Sequence, residues 1–302
     1  GRCGNGPTSV HDLPLIFPRY HQWHAVRELT AHTARYGSGH NYLVMHSAGS
    51  GKSNTIGWLA HRLSTLHGSA EPGALDPEAV ASGRIEPNQP VFHKVVVVSD
   101  REVLDKQLQD TIFQFDHTPG VVEAIDNRGG SKSSKVAAAL ANIATKVIVV
   151  TVQTFPYVLE GVSSLRDKRV AVIVDEAHSG QSGDSVTKLK KVLRGLGAED
   201  VDDGEVDPLT SSALARQRHP HLSYFAFTAT PKQKTLNLFG VRDPVSGEMR
   251  AFHIYSMRQA IEEGFILDVL TNYTTYAAYW RLLKTIEEDP HYDRKKAEHL
   301  LK

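Results

Sequence analysis

Five short apolar runs, rich in Val and Ile, are the feature of this sequence that most constrains its fold. Each run is continuous rather than alternating with polar residues, which is typical of parallel strands covered by helices on both faces. Helical patterns lie between the runs, as in Lys52–Leu66, where Ile56, Leu59 and Leu63 recur at helical spacing. The sequence therefore predicts an α/β fold of three layers around a central, mostly parallel sheet. The predicted strands are Tyr42–Met45, Val95–Ser99, Val147–Thr151, Val170–Val174 and Tyr224–Thr228, and the other predicted crossover helices are Arg101–Phe115, Ser133–Ala144 and Ser185–Leu196.

A loop of Gly and Ser, HSAGSGKS at residues 46–53, follows the first apolar run and opens the first of these helices. Glycines let backbone N–H groups turn inward around phosphate oxygens, and a helix start adds positive charge. In this phosphate-binding loop (P-loop), Lys52 is predicted to reach the β- and γ-phosphates of ATP, and Ser53 to hold Mg²⁺. The general pattern has Gly where His46 stands, and the alternative is a simple turn before an ordinary helix. The predicted nucleotide-binding residues of this loop are Gly49, Ser50, Gly51, Lys52, Ser53 and Asn54.

An acid pair, Asp175-Glu176 in the sequence DEAH, ends the apolar run Val170–Val174. At the end of a parallel strand near the P-loop, Asp175 would bind Mg²⁺ through water, and Glu176 would orient and polarise the attacking water. The predicted catalytic residues are thus Lys52, Asp175 and Glu176. The alternative is a surface acid pair that caps a helix.

Two hydroxyl residues, Thr228 and Thr230, follow the apolar run Tyr224–Phe227. They can hydrogen bond the acid cluster or His178, the last residue of DEAH, which we also place at the nucleotide site. Such bonds would couple the state of the nucleotide to movement. The alternative is a strand exit that Thr caps.

The stretch FPRYHQ at Phe17–Gln22 precedes the P-loop by about 25 residues. The amide of Gln22 offers a donor and an acceptor that match the edge of adenine. Arg19 could add a stacking or phosphate contact. The alternative is a polar helix start.

The composition excludes several classes of protein. Lys+Arg and Asp+Glu both number 34, so any contact with nucleic acid must use a local surface rather than a global basic field. The single Cys3 excludes an intrachain disulfide, the 16 histidines show no paired spacing that suggests zinc, and no apolar run reaches the length of a membrane span. We expect an N-terminal linker at residues 1–12, one domain at residues 13–248, and a connector that begins a truncated second domain at residues 249–302.

The sequences of these motifs resemble those of superfamily two helicases and translocases, and more narrowly those of the motor (R) subunit of type I restriction enzymes. The resemblance rests on FPRYHQ, HSAGSGKSNTI, VVVVSDREVLDKQLQDTI, VIVVTVQTFPYV, VIVDEAHSGQSG and YFAFTATPK, and runs from about Leu13 to the C-terminus. It is specific because residues such as Asp100, Arg101 and the SGQSG after DEAH are not demanded by nucleotide chemistry.

The resemblance implies the first of two RecA-like motor domains, a P-loop NTPase fold that uses ATP and Mg²⁺ to pump double-stranded DNA before cleavage. It also implies methylation and specificity subunits as partners, no membrane, and the cytoplasm of a bacterium or archaeon. No nuclease constellation and no motif that would supply an arginine finger are found, so the chain alone is expected to bind ATP but to hydrolyse it poorly. The resemblance places DNA contacts on loops after the second and third predicted strands, with ordinary helix capping as the alternative: Ser99, Asp100, Arg101, Thr151, Gln153 and Thr154.

Two other functions stay open at this point. One is another superfamily two enzyme, such as a chromatin-type remodeller or an RNA helicase. The other is a non-catalytic DNA-binding module gated by nucleotide.

Overall fold

The computed structural model describes residues 16–99, 102–114, 120–125, 131–163, 168–175 and 221–268. The contacts divide the chain into two compact units, residues 1–256 and 257–302. The strands are β1 Asn41–His46, β2 Lys94–Ser99, β3 Val122–Ala124, β4 Val147–Thr151, β5 Val170–Val174, β6 Leu222–Thr228, β7 Val241–Arg242, β8 Met249–Arg250 and β9 His253–Tyr255. The helices are α1 Tyr20–Tyr36, α2 Lys52–Ser64, α3 Pro77–Ala81, α4 Glu102–Gln114, α5 Lys132–Ala141, α6 Phe155–Ser163 and α7 Gln233–Phe239 in the first unit, and α8 Met257–Glu262 in the second.

Seven strands form one sheet in the order β3-β4-β2-β5-β6-β1-β9, and every described pair in it is parallel. The five predicted strands are all present, at its centre. Strands β7 and β8 form a separate antiparallel pair. The parallel pairing explains the continuous apolar runs, because such strands are buried on both faces.

Side chains on the two faces of the sheet belong to two separate apolar clusters. Along β2, Val96 and Val98 enter one cluster, while Val95 and Val97 enter the other. Helices α5, α6 and α7 cover the first face, and α1, α2, α3 and α4 cover the second. The three-layer α/β fold of a P-loop, RecA-like domain is thereby confirmed.

The segment Gly68–Pro90, whose composition suggests a solvated loop, is instead anchored to the core. It contains α3, whose start is capped by Asp76 through a 2.9 Å bond from the Ala79 amide. The side chains of Ala79 and Ile85 are fully buried. Buried Arg169 donates to three backbone carbonyls at residues 83, 90 and 91, and to the carboxylate of Glu86 at 2.8 Å. Three of these bonds reach the segment itself and the fourth reaches the adjoining residue 91, so one guanidinium holds the segment in place.

The sheet continues past residue 248, because β9 pairs with β1. The division of the chain at residues 12 and 248 otherwise stays a prediction, and the predicted helix Ser185–Leu196 lies outside the described residues. Among the helices that the structure describes, none combines the length and hydrophobicity needed to cross a membrane.

Candidate nucleotide-binding site

The carboxyl ends of three neighbouring strands carry the main predicted site residues. The P-loop follows β1, Thr228 ends β6, and Asp175 follows β5. Met45 of β1 lies opposite Thr228, and Val174 lies opposite Ala226 one strand further along. Two strand spacings, about 10 Å, therefore separate the P-loop strand from the strand of Asp175. This edge of the sheet is where ligands of open α/β folds bind.

The P-loop turns through two glycines with positive φ, Gly49 and Gly51, both at +75°. Other residues rarely adopt this conformation. A Cβ added at Gly51 would also lie 2.6 Å from Nε2 of Gln22, so this position needs glycine for space as well.

The first turn of α2 is arranged for an anion. Its N-cap residue is Gly51, which has no side chain to cap the helix, and no acidic residue lies in its first turn. Lys52 is the first helical residue, where the positive end of the helix dipole repels a cation unless an anion is bound. In the loop, the buried hydroxyls of Ser47 and Ser50 have no hydrogen-bond partner among the described residues. Buried hydroxyls and a helix start with a glycine N-cap fit the oxygen atoms of a triphosphate.

A magnesium ion at this site would draw on Ser53 and Asp175. Both carry hard oxygen donors, which Mg²⁺ prefers. The Asp175 amide donates to the Val98 carbonyl at 3.0 Å, so hydrogen bonding to the neighbouring strand fixes its backbone. In the described part of the chain, no three His, Cys, Asp or Glu residues could hold a metal together. Phosphate oxygens and water would complete the coordination shell.

Helix α1 holds the apex of the P-loop. Nε2 of Gln22 donates to the carbonyls of Gly51 at 2.9 Å and Ser50 at 3.3 Å, and its Oε1 accepts from the Arg19 amide at 2.8 Å. Nε2 of His21 also lies 3.0 Å from the Ser50 carbonyl. The role of Gln22 at adenine stays a prediction, and in this conformation both of its amide hydrogens serve the loop.

Strand β9 holds the beginning of the P-loop. The Ser47 amide donates to the Tyr255 carbonyl at 2.9 Å. Nε2 of His46 lies 2.9 Å from Nδ1 of His253, and Nε2 of His253 lies 3.1 Å from Nδ1 of His24 on α1. The three imidazoles His24, His253 and His46, here called the histidine chain, thus connect α1, β9 and the first P-loop residue.

Burial keeps the inner imidazoles of this chain neutral. Desolvation, followed by the charges of the nearby His253, His21 and Lys52, lowers the pKa of His46 to about 2. Desolvation, followed by the charges of His24 and His21, lowers the pKa of His253 to about 4. A neutral imidazole has one donor and one acceptor nitrogen, so each can bridge two partners.

The predicted coupling residues lie at the carboxyl end of β6. Thr228 is fully buried, and its hydroxyl accepts from the Thr230 amide at 3.3 Å. Thr230 itself is exposed. The hydroxyl of Thr228 therefore shapes the exit of β6 beside the P-loop strand.

Four of the six predicted DNA-contact residues lie in the described part of the chain. Ser99, Thr151 and Thr154 are buried, and the two threonine hydroxyls bond each other at 3.1 Å. The Ser99 carbonyl accepts from the Val152 amide at 3.0 Å. Only Gln153, of these four, has an exposed side chain. Three of the four thus stabilise the loop after β4 in this conformation, and DNA contact stays a prediction.

Some predicted residues lie outside the described part of the chain, namely Asp100, Arg101, Glu176 and His178. The two remaining residues of the predicted nucleotide site are described. Arg19 is exposed directly before α1, and the Asn54 amide in the first turn of α2 donates to the Gly51 carbonyl at 3.1 Å.

Sequence reasoning missed the contribution of β9 and of the histidines around the P-loop. The ring of His21 stacks on Tyr255 with centroids 3.7 Å apart and planes within 5°. One signal was available: His46 replaces the usual glycine, and a bulky polar residue there needs partners. Its partner is 207 residues away in the chain, so spacing gave no indication of it.

The fold and this site define a helicase-like ATPase domain. The family model described as "SWI2/SNF2 ATPase" matches residues 79–297, and the chain belongs to this family. The matched range begins after the P-loop, so the description of that loop rests on its own geometry.

Relatives in the genus Staphylococcus are named type I restriction enzyme endonuclease subunits. This chain is 24% identical over 275 residues to the SauCOLORF180P subunit of Staphylococcus aureus, and 23% identical to the SsaAORF53P subunit of Staphylococcus saprophyticus. Both matches cover 87% of this chain but only 22% of the relative, so the chain spans about a fifth of their length. The resemblance to the R subunit of type I restriction enzymes is confirmed.

Solved structures give weaker matches. One is a nuclease-deletion mutant of the Type ISP restriction-modification enzyme LlaGI, in complex with a DNA substrate mimic. It is 16% identical to this chain with a TM-score of 0.46, and the match covers 90% of this chain and 23% of the LlaGI chain. The helicase domain of Pyrococcus furiosus Hef is 19% identical to this chain with a TM-score of 0.44, and the match covers 73% of this chain and 35% of the Hef chain.

Proposed function

We propose that this chain is the ATP-binding motor domain of a type I restriction enzyme R subunit, and that it couples ATP hydrolysis to translocation of double-stranded DNA. The observation that carries the proposal is the P-loop. It combines a helix start with a glycine N-cap, Lys52 as the first helical residue, and two buried hydroxyls without a hydrogen-bond partner among the described residues. The restriction-enzyme relatives favour this function over that of a remodeller or an RNA helicase. In the proposed complex, the partners are double-stranded DNA and the methylation and specificity subunits.

Each residue has a defined part in the proposed reaction. The P-loop amides and Lys52 hold the β- and γ-phosphates, while Ser53 and Asp175 hold Mg²⁺, which when bound neutralises charge that develops on the phosphates. Glu176 orients the attacking water and accepts its proton. Gln22 recognises adenine, for which its amide must exchange bonds to the loop or to the Arg19 amide for bonds to the base. Thr228 with Thr230 transmits the state of the site.

Nucleotide binding by the 302-residue chain tests the proposal directly. We expect a fluorescent ATP analogue with Mg²⁺ to bind the parent and not Lys52→Ala. Lys132→Ala is the matched control, since Lys132 also begins a helix but lies on the opposite face of the sheet. Equal binding by the parent and Lys52→Ala would refute the assignment of the P-loop.

Turnover separates the proposed motor from the two alternatives. We expect slow hydrolysis by the isolated chain and, once a second motor domain is supplied, stimulation by duplex DNA more than by single-stranded DNA or RNA. Glu176→Gln should keep ATP binding and stop turnover. Stimulation by RNA would favour a helicase, and binding without turnover in the presence of both domains would favour a nucleotide-gated DNA-binding module.

A further inference from the structure

Strand β9 is a short element that needs support beyond its backbone pairing. It has three residues, lies at the edge of the seven-stranded sheet and pairs only with β1 among the described strands. Its register places Tyr255 opposite His46, and His253 opposite Val44, two residues earlier on the same face of β1. The side chain of His253 is therefore placed to reach His46 diagonally across the strand pair.

We propose that His253 is a positioning residue for the P-loop, acting through His46, and that the histidine chain fixes the loop entry to both β9 and α1. The inference rests on the proposed function, because the loop that it positions is the proposed phosphate site. It adds a role for β9 that neither the motif residues nor the family resemblance supplies.

Hydrogen bonds connect the P-loop, α1 and β9 to one another, so each of the three is bonded to the other two. The loop entry bonds β9 through His46 and the Ser47 amide, and the loop apex bonds α1 through Gln22. Helix α1 in turn bonds β9 through His24 and His253. A change at the P-loop must therefore move α1 and β9, or break one of these bonds.

The chemistry of imidazole restricts how the histidine chain can be arranged. Since His253 and His46 are neutral, the protons along the chain must point in one of two directions. If His24 donates to His253, then His253 donates to His46, whose Nδ1 carries a hydrogen. That Nδ1 is buried and has no hydrogen-bond partner among the described residues. Replacing His253 leaves the Nε2 atom of His46 without its partner as well, which frees the ring to move.

Three variants at residue 253 test which bond matters. In side-chain geometry, the amide nitrogen of Asn overlays Nδ1 of His, and that of Gln overlays Nε2. His253→Asn thus keeps an amide nitrogen that can bond Nε2 of His46, and His253→Gln keeps an amide nitrogen that can bond Nδ1 of His24. His253→Ala removes both.

The measurement is hydrogen exchange of the ligand-free 302-residue chain, read at the peptide that contains the P-loop. We expect exchange at residues 46–52 to be at least fivefold faster in the Ala and Gln variants and close to the parent in the Asn variant. His32→Ala is the matched control: His32 lies on α1, burial also lowers its pKa to about 4, and its Nδ1 bonds Tyr42 rather than the loop. This control should leave P-loop exchange unchanged even where it lowers stability.

A second readout is the affinity for tripolyphosphate, which contains the phosphates without the base. We expect five- to tenfold weaker binding in the Ala and Gln variants, and parent-like binding in the Asn variant. Equal P-loop exchange in all three variants would overturn the inference, and if His253→Ala fails to fold, the contrast between Asn and Gln decides. Failure of the parent to bind tripolyphosphate or ATP would refute the proposed function, while the exchange data would still decide the role of His253.

Discussion

Acidification should destabilise this fold through its buried histidines, and His46 should dominate the effect. Its side chain is fully buried, and desolvation lowers its pKa from an ordinary 6.5 to about 2. The folded chain therefore binds fewer protons here than the unfolded chain at any pH between these values. Stability is present above about pH 6.5 and is lost as the pH falls, because protons favour the unfolded state.

The size of the loss follows from the pKa difference. Each pH unit below 6.5 should cost about 1.4 kcal/mol per such group, so His46 alone should remove about 2 kcal/mol at pH 5.0. His253 and His32, whose pKa values fall to about 4, lose stability over the same pH range, and their contribution is discounted because both are partly exposed and water screens them. A loss of this size is a large part of the stability of an ordinary domain.

Urea unfolding at a series of pH values measures this effect. We expect the free energy of unfolding to fall between pH 7.5 and 5.0 by about 2 kcal/mol more in the parent than in His46→Asn. The comparison concerns the slope against pH, so any loss of packing in the variant cancels. His67→Asn, at an exposed histidine, controls for the removal of one imidazole. The same slope in the parent and in His46→Asn would refute the reasoning.

Two further substitutions test single features of the fold. Gly51→Ala places a Cβ 2.6 Å from Nε2 of Gln22 at a φ of +75°, so it should cost about 1–3 kcal/mol and weaken ATP binding, measured by thermal unfolding and titration. Arg169→Ala removes three bonds to the segment that contains α3 and a fourth to the adjoining Val91, and it leaves three backbone carbonyls without this donor. It should cost about 3 kcal/mol in urea unfolding. The exposed partner carboxylate should matter little, so a loss in Glu86→Gln as large as that in Arg169→Ala would contradict this account.

Local signals predicted the centre of the fold because its strands are buried on both faces. The runs at β4 and β5 match the structure residue for residue, since continuous Val and Ile have few other environments. Several of the elements that were not predicted are short or depend on distant partners. Helix α3 is five residues long, and the segment around it is held by Arg169, about 80 residues further along the chain. Composition alone makes such a segment look like a loop.

The same distinction applies to the candidate site. Some of its side chains are positioned by neighbouring residues in the sequence, and others by elements that the sheet topology brings together. The conformation of the loop at residues 46–53 was predictable because its glycines, helix start and lysine occupy a few consecutive positions, and phosphate binding there stays a prediction. The histidine chain was not, because His24 and His253 are 229 residues apart and meet only after β9 joins the sheet beside β1. A departure from a local motif, here His46 in place of glycine, is then informative, because a buried imidazole must find hydrogen-bond partners. Such a departure predicts that another element contacts the loop, although the identity of that element has to come from the structure.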